Sequence, residues 1–190
     1  MSIVLASGSP RRKELLQMLG VSDMIICPAV GEEKADDNLG PAETVCALSR
    51  AKAEEVSAKF SSDDVIIAAD TIVWCDGKIF GKPHTEKQAE DMLTALSGRK
   101  HEVYTGVTVI KGEKIISEAE CTKVCFRPLD KTEIAAYIAS GEPMDKAGAY
   151  GIQGKASLFA EGIEGDYFNV MGLPLCRLGQ MLKTIGVRLL

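Results

Sequence analysis

The sequence predicts an α/β fold with a mixed sheet, and three observations predict it. Val65-Ile66-Ile67-Ala68-Ala69 is a continuous apolar run, the pattern of a strand buried on both faces. The stretch from Ala42 to about Phe60, just before it, has helical periodicity. Turn signals at Asp76-Gly77 and Lys111-Gly112-Glu113 add hairpins, and so antiparallel pairs, to the alternation of helices and strands.

Taken in order, Ile3-Val4-Leu5-Ala6 is a short apolar strand running into the turn Ser7-Gly8-Ser9. Pro10 suits the first position of a helix, where its missing N–H costs nothing, and Ser9 suits the N-cap. Gly20 suits that helix's C-terminus, and Met24 to Cys27 reads as a strand. Residues 29–42 are polar and acidic, with a loop signal at Asn38-Leu39-Gly40-Pro41. Val45, Leu48 and Val56 mark the apolar face of the next helix, and Lys52 lies near its buried edge. The buried run then ends in Asp70-Thr71, Ile72-Val73-Trp74 follows, and the Asp76-Gly77 turn returns Lys78 to Phe80. Gly81-Lys82-Pro83 breaks the chain. Thr85 with Gln88 forms a capping box for a helix ending near Gly98. Residues 101–110 and 114–126 read as two long strands. Asp130 with Glu133 opens a helix that stops at Gly141, a glycine-rich stretch runs from Ala147 to Gly154, and a last helix spans Pro174 to about Ile185.

With 190 residues, 46% of them hydrophobic, the chain can bury one good-sized core. Length suggests one domain over residues 1–190, or two lobes sharing a sheet. A net charge of -5 argues against nucleic acid as a partner, although a few local cations suffice for a small phosphorylated ligand. No charged region followed by a long apolar stretch opens the chain, so no signal peptide is expected. No apolar run approaches the roughly 18 residues of a membrane span, and a soluble, cytoplasmic protein without a membrane partner is expected. The six cysteines are scattered and only two histidines exist, which favours buried thiols over a zinc site.

The chemistry starts at the N-terminus. Arg11 and Arg12 stand in the first turn of a helix, where positive charge opposes the dipole. The placement makes sense if backbone N–H groups, serine hydroxyls and guanidinium forks hold an anion there, which makes residues 7–12 a candidate phosphate site. The alternative is a surface ion pair with Glu14 or Glu32. Asp70, at the end of a buried strand, is the leading catalytic candidate, and it reads equally as a cap on the turn that follows. Lys82 can aim an ammonium at phosphate from a loop stiffened by Pro83, or be an ordinary solvated lysine, and Lys52 poses the same choice. Glu32, Glu33, Asp36 and Asp37 form an acidic loop that is either simply solvated or lends a carboxylate, Glu33 being favoured, to join Asp70 in holding Mg²⁺. Gln153 can read a base edge through its amide, or the glycine-rich stretch around it can be no more than a tight loop. No phosphate-binding loop of the G-x-x-x-x-G-K-[ST] type, dinucleotide fingerprint or nucleophile elbow is present.

Several segments carry a resemblance in the same order along nearly the whole chain. They are Leu5-Ala6-Ser7-Gly8-Ser9-Pro10-Arg11-Arg12, Ala69-Asp70-Thr71-Ile72-Val73 and Gly81-Lys82-Pro83, then His101 to Val107, Asp145 to Gly154, and Asn169 to Leu175. Together they resemble the Maf family of septum-formation-like nucleoside triphosphate pyrophosphatases. The resemblance implies an ITPase-like (Maf/Ham-like) α/β fold, with a long mixed sheet, flanking helices and a cleft between two lobes. It also implies hydrolysis of a nucleoside triphosphate to the monophosphate and pyrophosphate with a divalent metal, Mg²⁺ or Mn²⁺. Asp70 falls at the family's proton acceptor, and Ser7, Ser9, Arg11, Arg12, Lys52 and Lys82 fall at its phosphate-binding positions. Thr71 and Gln153 resemble the branch acting on dTTP and UTP, so Arg12, Thr71 and Gln153 are the expected specificity residues. The sibling branch acting on 7-methyl-GTP tends to carry Gln after the Asp and Glu at the later position. Glu32-Glu33 departs from the Asp-Glu frequent in relatives, which blurs which carboxylate meets the metal. A homodimer is the assembly the family suggests, and a nucleotide-binding regulator of septum formation is the non-enzymatic alternative.

Overall fold

Seven strands form one mixed sheet among the described residues, which in this computed structural model are 1–31 and 38–189. The strands are β1 (Ile3–Leu5), β2 (Ile25–Ile26), β3 (Val65–Cys75), β4 (Lys78–Phe80), β5 (Lys100–Lys111), β6 (Lys114–Phe126) and β7 (Ala160–Glu164). Their order is β2-β1-β3-β5-β6-β7, with β4 paired to β3. β1 runs parallel to both β2 and β3, whereas β3–β4 and β6–β7 are antiparallel. The helices are α1 (Pro10–Met18), α2 (Pro41–Ser57), α3 (Glu86–Leu96), α4 (Lys131–Ala139), α5 (Tyr167–Met171) and α6 (Leu175–Thr184).

The chain divides into two compact units. The first holds residues 1–70, 105–120 and 172–190, and the second holds 71–104 and 121–171. In the first, α2 lays Ala53 and Val56 on Val4, Ile66, Ala68 and Ile110 of the sheet and on Ala6 just beyond β1. Each fully buried side chain of valine size or larger there contributes roughly 1.5–3 kcal/mol. In the second, α3 buries Ala89, Leu93 and Leu96 and packs on α4. No helix among the described residues is long and apolar enough to cross a membrane.

Local signals are read out in part. Pro10 opens α1, and Gly20, with φ +81°, follows its C-terminus. Ser9 occupies the N-cap position without a side-chain capping bond. Asp130 and Glu133 make the expected reciprocal capping box. At α3 only half of the box forms: Thr85 accepts from the Gln88 N–H, but the Gln88 amide oxygen accepts from His84 N–H instead. The expected end of the long strand at Asp70 is corrected. β3 continues to Cys75, because Thr71, Ile72 and Val73 are strand formers and Asp70 has a charge partner within the fold.

Candidate active site

β1 stops at Leu5, and Ser7-Gly8-Ser9 turns the chain into α1. The register Leu5↔Ile67, continued by Ala6 N–H donating to the Ile67 carbonyl at 2.8 Å, holds the start of this turn against the stretch of β3 that leads to Asp70. Ser7 is buried, and its hydroxyl accepts from Ser9 N–H at 3.3 Å and from Arg12 Nη1 at 3.0 Å. Arg12 Nε donates to the Gly172 carbonyl at 2.7 Å, and Gly172, at φ +106°, adopts a backbone that favours glycine. Two acceptors on different segments thus fix the guanidinium plane. Arg11 stands half-buried beside it in the same first turn.

Asp70 is one of the few charged residues buried among the described residues. Lys52 Nζ donates to its Oδ1 at 2.6 Å, and the two side chains are only 15% and 10% exposed. Burial at that level requires a partner for the carboxylate, and the lysine supplies it. Asp70 therefore does not cap the hairpin, whose turn comes later at Asp76-Gly77. Lys52 shares a face of α2 with Val45, Ser49 and Val56, all buried. That face presses close to the sheet: a Cβ on Gly106 would lie 2.2 Å from the Val45 carbonyl oxygen. Ser49 continues the contact, its hydroxyl bonded to Thr108, which is in turn bonded to Ser117.

The other expected residues lie in the second unit. Thr71 follows Asp70 on β3 and points to the opposite face of the sheet. Lys82 is exposed on its Gly81–Pro83 loop. The Gly81 carbonyl accepts from Gly148 N–H at 3.0 Å, which fastens the Lys82 loop to the glycine-rich stretch. Gly148, at φ +67°, sits so near β3 that a Cβ would meet Val73 Cγ2 at 2.7 Å. Two 3-10 turns, Ala147–Ala149 and Gly154–Leu158, flank Gln153, which is exposed.

Beneath that stretch lies a buried network that sequence reasoning missed. His101 Nε2 and the Tyr150 hydroxyl are 2.7 Å apart, and both rings pack edge-on to Phe126. Burial pushes the His101 pKa down to about 4, and pushes the Tyr150 hydroxyl up. Both residues belong to the motif segments quoted above. Their pairing joins positions too far apart in sequence to be seen there.

Glu33, the favoured second metal ligand, lies outside the described residues. Among those described, no group of three His, Cys, Asp or Glu side chains forms a metal cage. Asp70 is nevertheless a hard oxygen donor of the kind Mg²⁺ and Mn²⁺ use. Such ions commonly take one or two carboxylates and complete their shell with water and substrate phosphates.

A family model described as Maf-like protein matches residues 2–185. The chain is 55% identical over 190 residues to a dTTP/UTP pyrophosphatase of Carboxydothermus hydrogenoformans, covering 98% of this chain and all of that one. It is 49% identical over 185 residues to a dTTP/UTP pyrophosphatase of Bacillus cereus, covering 97% and 96% of the two chains. Among solved structures, a HAM1 protein from Coxiella burnetii is similar with TM-score 0.53, over 97% of this chain and 99% of that chain. Its identity is 14%, so the likeness bears on fold alone.

Proposed function

Since the chain belongs to the Maf-like protein family, we propose that it is a pyrophosphatase that hydrolyses dTTP and UTP to the monophosphate and pyrophosphate. The observation that carries this reading is the Lys52–Asp70 pair, which joins α2 to the buried strand β3 in the same compact unit as the Ser7–Arg12 cluster. It occurs in a chain about half identical to dTTP/UTP pyrophosphatases.

In this reading a water attacks the α phosphorus in line, and Asp70 accepts its proton. The bond from the α phosphorus to the bridging oxygen breaks, and pyrophosphate leaves with that electron pair. Lys52 holds the Asp70 carboxylate in one orientation. Ser7, Ser9, Arg11, Arg12, Lys52 and Lys82 offset the charge of the phosphate tail as it builds on the leaving group. Mg²⁺ or Mn²⁺, which Asp70 and Glu33 would hold, neutralises phosphate oxygens when bound. Arg12, Thr71 and Gln153 select the base, the Gln153 amide offering both a donor and an acceptor. A cytoplasmic setting and a homodimer complete the proposal.

A panel of nucleoside triphosphates with Mg²⁺ and with Mn²⁺, read by pyrophosphate release, tests it. The expected result is turnover of dTTP and UTP, reduced about 10³-fold in Asp70→Asn with the fold intact. Clear preference for 7-methyl-GTP would move the chain to the sibling branch, and near-normal turnover in Asp70→Asn would remove Asp70 from the mechanism.

A further inference from the structure

We propose that Tyr137 and Glu142 are positioning residues that set base preference by clasping, from both sides, the loop that carries Gln153. The inference rests on the reading of Gln153 as the base-contacting residue and adds what holds it.

Tyr137 lies on α4, buried, with its ring edge-on to Phe159 at 5.1 Å. Its hydroxyl accepts from Gly151 N–H at 3.3 Å and donates to Glu142 Oε1 at 3.2 Å. The second carboxylate oxygen, Oε2, accepts from Lys155 N–H at 3.3 Å. Gly151 and Lys155 flank Gln153 symmetrically, so one connected pair of side chains holds the backbone on each side of it. Glu142 is itself fixed. Its carbonyl accepts from Lys146 Nζ at 2.5 Å, and it opens a 3-10 turn directly after Gly141, which is left-handed at φ +73°.

The glycines of the stretch make this clasp sterically possible. A Cβ on Gly154 would lie 2.7 Å from Glu142 Oε1, and one on Gly151 would lie 2.7 Å from Lys146 Cε. Burial pushes the Tyr137 hydroxyl pKa up, so the group remains a donor to the carboxylate at neutral pH. The outcome is a loop whose backbone is tied to the fold while the Gln153 side chain stays exposed. A side chain that reads a base needs that combination, because discrimination by hydrogen bonds depends on its placement to a fraction of an ångström.

Steady-state kinetics on dTTP, UTP and dATP for the wild type, Tyr137→Phe, Glu142→Gln and Gln153→Ala test this, together with the Tyr137→Phe/Gln153→Ala double variant. Tyr137→Phe removes one oxygen and keeps the ring packing. It is expected to raise KM for dTTP about fivefold with kcat nearly constant, and to cut the preference for dTTP over dATP by a similar factor. In the Gln153→Ala background the same substitution is expected to change the preference no further, since its effect passes through Gln153. A purely structural role would lower the melting temperature and act equally in both backgrounds, which would overturn the inference. Unchanged preference in both Tyr137→Phe and Glu142→Gln would overturn it as well. Glu142→Gln keeps the size of the side chain and carries the test if Tyr137→Phe does not fold. A wild type that hydrolyses no triphosphate would overturn the proposed function itself, whereas a working wild type with insensitive variants overturns this inference alone.

Discussion

Lys52 occupies a place on α2 where an unpaired ammonium would oppose folding, between buried Ser49 and Val56. It is tolerated because Asp70 lies 2.6 Å away, and the dependence is mutual. Lys52→Met should therefore lower stability by about 3 kcal/mol, since it strands a nearly buried carboxylate. Adding Asp70→Asn to that variant should recover part of the loss, which denaturant titration of the two variants would reveal as a coupling energy. A recovery of zero would mean that the pair is not what holds Lys52 in place. The same pair explains a misreading. From local sequence Asp70 ends a strand, because a charge after Val65 to Ala69 reads as arrival at solvent. Its partner stands 18 residues earlier on another element, out of reach of any local pattern. Arg11 and Arg12, by contrast, were visible at once, because charge against a helix dipole is a local anomaly. Even so, the Gly172 carbonyl that orients Arg12 lies 160 residues away.

Elements whose ends are written within a few residues were legible, and those defined by distant partners were not. The Asp130–Glu133 box is complete in four residues of sequence, and Asp130→Ala should lower stability by about 1 kcal/mol in a thermal melt. β7 was missed because Ala160–Glu164 carries glycine and two glutamates. Its strand state comes from pairing Ile163 with Val124 and Glu164 with Lys123. The tight seat of α2 on β5 was equally hidden, since a glycine in a strand does not announce what touches it. Gly106→Ala would drive a methyl group into the Val45 backbone rather than into a flexible side chain. It should cost about 3 kcal/mol or more. Because Val45 and Lys52 share a face of α2, the same shift should lengthen the Lys52–Asp70 contact. Pyrophosphate release should then fall even at temperatures where the variant remains folded.

Acid acts on the whole molecule through two groups, His101 and Glu133. His101, held at about 4 against an ordinary 6.5, is protonated in the unfolded chain before it is protonated in the folded one. Its neutral form is therefore fully compatible with the fold above pH 6.5, and stability falls as the pH drops from there toward 4. The slope approaches about 1.4 kcal/mol per pH unit. Glu133, held at about 2 chiefly by its bond to Arg127, adds stability that is present above its ordinary value of 4.5 and is lost as the pH falls toward 2. Melting temperatures taken between pH 4 and 7 should decline steadily in the wild type and decline less in His101→Gln. Equal slopes would show that His101 does not titrate in that window. The division of the chain into two units carries a different kind of consequence. The chain passes from one unit to the other after Asp70, Tyr104, Glu120 and Met171, so neither unit is a continuous stretch of gene. Lys52 and Asp70 fall in the first, and Thr71 and Gln153 in the second. A single recombination event between two relatives cannot exchange one unit whole. Changes of substrate preference in such a chain are accordingly more accessible to point substitution than to the shuffling of halves.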